Sequence, residues 1–327
     1  MFYIFIVMKI GDVKISGRVI LAPLSGLTDS TFRLICRKMG AALVSSEMIC
    51  AEGIVKENTR TLRYLFFDRR EKPIAVQIYG DSPRIMAEAA KMLERFRPSF
   101  IDINFGCPVS KIVKRGAGSA ILKDLVKMEK VARAVVENSS LPVTAKIRSG
   151  WSKNNIIAVD ASVMLEDCGI AAISIHPRTS KTEYSEPSDW SIIKDVKMAV
   201  KIPVIGNGDI TGPVEAEKMF KETECDFIMV GRASIGNPWI FKRINYYLNE
   251  GVLFPEPSFE EKLEICLEHI RSAIKNNGEF YSTSCLKKHI QFYLKGIRGN
   301  HKIIKEIVGL YSAKEIELKI KNLLTKK

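Results

Sequence analysis

Phe100-Ile101-Asp102-Ile103-Asn104-Phe105-Gly106-Cys107-Pro108 is a short apolar run that stops abruptly in polar and turn-forming residues. Similar runs occupy residues 19–24, 43–46, 74–79, 143–148, 172–176, 204–206 and 227–230. Amphipathic segments with helix-start signals lie between them. Asp29 precedes a helix that ends near Gly40, and Ser82-Pro83 opens one over residues 85–96, with proline at the first helical position. Asp124 precedes a helix over 126–137, and Thr211 with Pro213 precedes one over 214–221. Near-continuous apolar strands alternating with helices imply a parallel sheet covered on both sides. Eight such units in roughly 250 residues favour a closed α/β structure, the (β/α)8 TIM barrel, over an open doubly wound sheet.

The pattern changes after about residue 243. Ser258 and Glu261 read as a capping box behind Pro257, and Phe259, Leu263, Cys266, Leu267, Ile270 and Ile274 form an apolar helical stripe. Further helical segments are predicted over 286–294, 303–310 and 313–324, with Pro255 and Pro257 marking a linker. The expected organisation is an N-terminal extension over 1–15, a barrel over 16–243 and a small all-helical domain over 244–327. Residues 1–7 are apolar but too few for a spanning helix or a signal-peptide core. They read as a disordered extension or an artefact of start-site assignment ahead of Met8.

The chain has 327 residues, 46% of them hydrophobic, and a formal charge of +13. Such an excess suits a polyanionic partner, and equally a proteome rich in lysine. Its seven cysteines include no C-x-x-C pair, which argues against a disulfide framework and against a zinc or iron–sulfur site. No membrane segment, metal or obligatory protein partner is expected, and a reducing cytoplasm fits best.

In such a barrel the reactive site lies at the C-terminal ends of the strands. Those ends carry Pro23, Leu24 and Ser25; Glu47 and Met48; Gln77; Asn104 and Cys107; Lys146 and Arg148; His176 and Arg178; Asn207, Gly208 and Asp209; and Gly231 and Arg232. The last two loops read as a phosphate site or as ordinary tight turns, and their pairing in a barrel favours phosphate. Lys146, inside an apolar strand, needs an anionic partner: a reduced flavin or a barrel carboxylate. Gln77 and His176 suit a ring edge, or simply satisfied interior positions. Cys107 opens a Gly-rich loop and could act as a general acid, or be a buried turn cysteine. Residues 287–305 hold Lys287, Lys288, Lys295, Arg298, Lys302 and Lys305 with Phe292 and Tyr293 and no acid. That is an RNA-facing surface, or a solvated helix face with its aromatics in the core.

The string 102–108 with Gly116-Ala117-Gly118-Ser119 resembles the signature of the tRNA-dihydrouridine synthases, the bacterial B-type branch in particular. Ala22-Pro23, Thr28-Asp29, Val76-Gln77-Ile78, Lys146-Ile147-Arg148, His176-Pro177-Arg178-Thr179 and Lys288-His289 extend the likeness over nearly the whole chain. The resemblance implies FMN-dependent reduction of uridine to 5,6-dihydrouridine in tRNA, with NADPH (or NADH) as electron donor. Hydride would reach uracil C6 from reduced FMN, and Cys107 would protonate C5. It assigns Pro23, Leu24, Ser25, Gln77, Lys146, His176, Asn207, Gly208, Asp209, Gly231 and Arg232 to FMN. Asn104, Lys111, Arg148 and Arg178 would face the nucleotide, and Lys287, Lys288 and Arg298 the RNA. Leu24 and Ser25 depart from the Met and Ala usual there, and Glu186 stands where glycine is common. Two alternatives are weighed: an FMN barrel acting on a small molecule, resembling dihydroorotate dehydrogenase, and a non-catalytic RNA-binding barrel. The first leaves the basic helical C-terminus unexplained; the second predicts loss of Cys107 or Lys146.

Overall fold

The structure is a computed structural model that describes residues 7–182, 186–296 and 300–325. It opens with a hairpin of β1 (Val7–Ile10) and β2 (Val13–Ser16). Then follow β3 (Val19–Leu21), α1 (Ser30–Lys38), β4 (Leu43–Ser45), β5 (Ile49–Cys50), α2 (Ala51–Val55), α3 (Thr59–Leu62), β6 (Ile74–Tyr79), α4 (Pro83–Leu93) and β7 (Phe100–Phe105). The chain continues through α5 (Ser110–Val113), α6 (Leu125–Val136), β8 (Val143–Arg148), a small hairpin of β9 (Gly150–Ser152) and β10 (Asn155–Ile156), α7 (Ala158–Asp167) and β11 (Ala172–His176). It completes the sheet with α8 (Ser191–Ala199), β12 (Val204–Asn207), α9 (Pro213–Thr223) and β13 (Phe227–Val230). The parallel strands run in the order β4-β3-β13-β12-β11-β8-β7-β6, and the β4–β6 pairing, Val44 opposite Ile74, closes the barrel.

Successive strand residues face opposite sides of a sheet. Here one set (Val19, Leu21, Val44, Ile74, Val76, Ile101, Ile103) packs outward with the helices. The other set points into the barrel. At its lower end that interior is apolar: Ile20, Leu43, Ala75, Phe100, Ala172, Ile205 and Phe227. Ile10 and Ile15 of the β1–β2 hairpin are fully buried against them, so residues 7–16 form the barrel's floor. Of the seven residues expected to be a disordered or misassigned start, Val7 is the first residue of β1, and residues 1–6 lie outside the described residues.

Local signals explain the helix starts. The Asp29 carboxylate accepts from the Phe32 N–H at 2.9 Å and caps α1, and Asp124 caps α6 through the Lys127 N–H at 2.9 Å. After the barrel come α10 (Trp239–Glu250), α11 (Phe259–Asn277), α12 (Glu279–Tyr293), α13 (Asn300–Gly309) and α14 (Ala313–Thr325). The α10 helix runs unbroken through residue 243 and seats Ile240, Phe241 and Ile244 on the barrel. The Ser258–Glu261 capping box is present. A separate core of Leu263, Cys266, Ile270, Leu286, Tyr293, Ile316 and Ile320 joins the last helices. Among the described residues no helix is long and apolar enough to cross a membrane, and no cluster of three or more His, Cys, Asp or Glu could hold a metal.

Candidate active site

Continuing up the inward-facing set, the side chains turn polar: Gln77, then Asp102 and Asn104, then Thr144 and Lys146, then His176 and Asn207. Register places them side by side, with Gln77 opposite Asp102 and Asn104 opposite Lys146. Gln77, Asn104, Lys146, His176 and Asn207 form the floor of a cavity of about 990 Å³ at the C-terminal mouth, large enough for a cofactor-sized ligand, with Asp102 and Thr144 buried just beneath.

A chain of hydrogen bonds orients this floor. Asp102 accepts from Thr144 Oγ1 at 2.7 Å and from Gln77 Nε2 at 2.6 Å. Gln77 Oε1 then accepts from Asn104 Nδ2 at 2.7 Å. This leaves Asn104 Oδ1 to accept from the N–H groups of Gly106 at 3.1 Å and Cys107 at 2.9 Å. A carboxylate can only accept, so Asp102 fixes both amides and, through them, the turn carrying Cys107. Burial raises the Asp102 pKa, opposed by those hydrogen bonds and by Lys146.

Cys107 lines the cavity and is half-buried. Burial raises its pKa, against a hydrogen bond from Val109 and the charge of Arg148, so the thiol keeps its proton at neutral pH. Lys146 donates to Asn207 Oδ1 at 2.9 Å, and Asn207 Nδ2 donates to the Met229 carbonyl at 2.7 Å. Burial and then Arg148 bring the Lys146 pKa down to about 8, with Asp102 only partly compensating. His176 is pushed down to about 2 by burial and the surrounding cations, so its ring is neutral.

Pro23, Leu24, Ser25, Arg148, Gly208, Asp209, Gly231 and Arg232 also line the cavity. Asp209 binds Arg178 Nη2 through both oxygens, at 2.8 and 2.7 Å, and pairs with Arg232 at 3.4 Å. Burial opposes ionisation of Asp209, but the Arg178 and Ser188 hydrogen bonds hold its carboxyl below the usual range. Gly208 sits at φ +127, with Ser188 Oγ only 2.6 Å from where a Cβ would be.

Not every expected residue reaches the cavity. Arg178 is buried behind the rim, bonded to Asp209 and the Glu186 carbonyl and touching His176 Nε2 at 3.2 Å. Glu186 meets Arg178 through its main chain and pairs its carboxylate with Lys153 at 2.6 Å, so a non-glycine residue is accommodated. Arg148 does reach the lining, but its buried guanidinium bonds to the carbonyls of Gly106 and Thr179, which makes it a brace for the Cys107 turn. Lys111 is exposed on α5, outside the lining. Lys287 donates to the Val308 carbonyl at 2.8 Å, within the C-terminal helices. Lys288 approaches the loop at Gly26 instead. Arg298, Tyr184 and Ser185 lie outside the described residues. The sequence reading gave no site role to Asp102, whose signal was its position two before Asn104, nor to Lys262; Phe292 and Lys295, expected on an RNA-facing surface, lie with Lys262 on the helical wall of the cavity.

A polar floor, a held thiol and paired guanidinium groups at the C-terminal mouth define a (β/α)8-barrel enzyme. Solved structures agree on the fold. A variant of NCR from Zymomonas mobilis superimposes with TM-score 0.58 at 17% identity, over 80% of this chain and 96% of that one. Morphinone reductase in complex with tetrahydroNAD gives 0.55 at 14%, over 79% and 93%. Residues 20–325 match the dihydrouridine synthase (Dus) family. The probable tRNA-dihydrouridine synthase of Rickettsia bellii is 39% identical over 291 residues, 89% of each chain. The tRNA-dihydrouridine synthase B of Pseudomonas aeruginosa is 37% identical over 293 residues, 90% of this chain and 88% of that protein. The chain belongs to the dihydrouridine synthase family, and is thus an enzyme, a flavin-dependent oxidoreductase.

Proposed function

We propose that this enzyme reduces the C5–C6 bond of uridine in tRNA, using FMN, with NADPH or NADH as donor, in the cytoplasm. The observation that carries this reading is the placement of the Cys107 thiol on the wall of the same cavity whose floor holds Lys146.

The donor set fits FMN. Among the described residues the hydrogen-bond partner of Lys146 is a neutral amide, so its charge invites an anionic ring. Gln77 and His176 would meet the ring edge, and Pro23, Leu24 and Ser25 would support it through main chain. Asn207, Gly208, Asp209, Gly231 and Arg232 would hold the ribityl and phosphate end, with Arg178 anchoring Asp209. Bound FMN supplies the hydride. Asn104 would position the base and Cys107 would deliver a proton to C5, a step for which a thiol kept neutral by burial is suited.

A stacked uracil must leave its helix to reach this mouth, at a cost of a few kcal/mol. The basic helices over 244–327, with Lys288, Arg298 and Lys111, would offset that through phosphate contacts. Lys287 and Arg148 would act indirectly, by holding the helices and the Cys107 turn.

The test is to load the protein with FMN and supply NADPH and tRNA from cells lacking it. Appearance of dihydrouridine by mass spectrometry is expected, with RNA affinity falling steeply with salt. Flavin-loaded protein that leaves such tRNA unchanged would overturn the reading.

A further inference from the structure

The C-terminal helices complete the wall of the reactive cavity, and they do so with an aromatic ring. The last turns of α12 rest on the loop after β13. A Cβ on Gly236, at φ +60, would fall 2.6 Å from both Phe292 Cβ and Tyr293 N, and 2.8 Å from the His289 carbonyl. On the other side His289 Nε2 donates to the Leu27 carbonyl, in the loop after β3, at 2.9 Å. The end of α12 is therefore fixed between two loops of the barrel mouth.

Neighbouring aromatics on this turn have opposite fates. Tyr293 is 1% exposed, packed edge-on to Trp239 in the helical core. Phe292 is 45% exposed and lines the cavity. Its root is clamped by Gly236 while its ring stays open. The fixed backbone places this open ring on the cavity wall, where an aromatic face can receive a base. Lys262 on α11 and Lys295 just past α12 line the same helical side. Among the described residues neither ammonium has an acidic partner, whereas the neighbouring Glu256 is taken by Arg243 at 2.6 Å.

Resting on the function proposed above, we propose that Phe292, Lys262 and Lys295 form a subsite for the nucleotide flanking the target uridine. The flanking base stacks on the Phe292 ring, and its phosphate lies against the two ammonium groups. Extruding a uridine strips its neighbour of a stacking partner. A waiting aromatic face replaces that contact whatever the base, since every base has a π-face. Stacking recovered on this face offsets part of the cost of extrusion.

The test uses full-length FMN-loaded protein and a uridine-containing oligonucleotide with 2-aminopurine beside the uridine. Stacking quenches 2-aminopurine fluorescence. Strong quenching is expected with wild type and Phe292→Trp, and weak quenching with Phe292→Ala and Phe292→Leu. With tRNA, Phe292→Ala should raise KM about tenfold and leave kcat within about twofold. Lys262→Gln and Lys295→Gln should each lower the slope of log affinity against log salt by about one. Quenching equal in wild type and Phe292→Ala overturns the subsite. So does a Phe292→Ala variant that loses FMN affinity with KM for tRNA unmoved, because the ring would then be a wall for the flavin. Wild-type turnover judges the reaction separately: quenching without dihydrouridine supports the subsite and removes the assigned chemistry.

Discussion

A Cβ on Gly118 would lie 2.7 Å from the carbonyl oxygen of Cys107, and that same carbonyl accepts from the Ser119 N–H at 3.0 Å. The Cys107 turn is thus folded directly onto the Gly-Ala-Gly-Ser segment, with Gly118 at φ +59. Alanine there meets both a strained backbone and an occupied space, a cost of about 1–3 kcal/mol. The expected result for Gly118→Ala is a kcat on tRNA lowered by about tenfold or more, with FMN affinity changed by less than about twofold. Steady-state kinetics and flavin titration measure the two quantities. An unchanged kcat would uncouple this packing from the placement of the thiol.

The elevated Cys107 pKa sets the pH response. The mechanism proposed above needs the protonated thiol, and a raised pKa extends that form toward alkaline pH. The single-turnover rate of the reduced enzyme should be flat through neutrality and fall only as the thiol ionises. Cys107→Ala should lose about 100-fold or more of that rate, and the alkaline limb with it. FMN and RNA binding should persist. A variant with wild-type turnover removes residue 107 as the acid.

Lys146 trades stability for binding. Its folded pKa of about 8 lies below the ordinary lysine value of 10.5, so folding favours the neutral amine. Between those values the unfolded chain holds the extra proton, and stability rises with pH across that window. At pH 7 the buried charge costs about 3 kcal/mol, at 1.36 kcal/mol per pH unit. Lys146→Met removes that cost but leaves Asn207 Oδ1 without its donor, worth about 1–3 kcal/mol. FMN-free Lys146→Met should therefore be at least as stable as wild type at pH 7, and lose any advantage by pH 10. Its FMN affinity should fall about tenfold or more. Denaturant melts across pH and flavin titration test the two halves; a variant markedly less stable at pH 7 would refute the cost assigned to the charge.

These residues also show what a sequence can reveal. The strands over 74–79, 100–105, 143–148, 172–176 and 227–230 match their apolar runs, because burial on both faces of a parallel sheet writes a continuous local signal. The rim was legible because strand ends define it. The floor hairpin was not: Met8, Ile10, Val13 and Ile15 are set among Lys9, Asp12 and Lys14 in strands of four residues, and the distant Phe100 and Phe227 make the two isoleucines core. Arg178 was legible as a cation at a strand end. Its actual neighbour, Asp209, comes from the next strand's loop and withdraws it from the surface. Phe292 and Tyr293 are adjacent letters in one helix, and packing against Gly236 and Trp239 decides which is wall and which is core.

The joint between barrel and C-terminal helices should open in acid. His269 of α11 and His289 of α12 lie with ring centroids 4.7 Å apart, and Phe32 of α1 packs 5.7 Å from the first and 4.4 Å from the second. Burial pushes both imidazoles down to about 3; His289 is lowered further by His269 and Lys288, against the Leu27 carbonyl and Asp29. Both are neutral in the folded protein but take up protons below pH 6.5 once released. The stability they confer is complete above that value and is lost as pH falls toward 3. Hydrogen exchange should then show the amides of α11 and α12 losing protection between pH 6.5 and 4 while those of β7 and β8 stay protected. His289→Gln keeps a donor for Leu27 without a basic ring, and should shift that loss to lower pH. Simultaneous loss in helices and barrel, unaffected by the substitution, would place the acid sensitivity elsewhere.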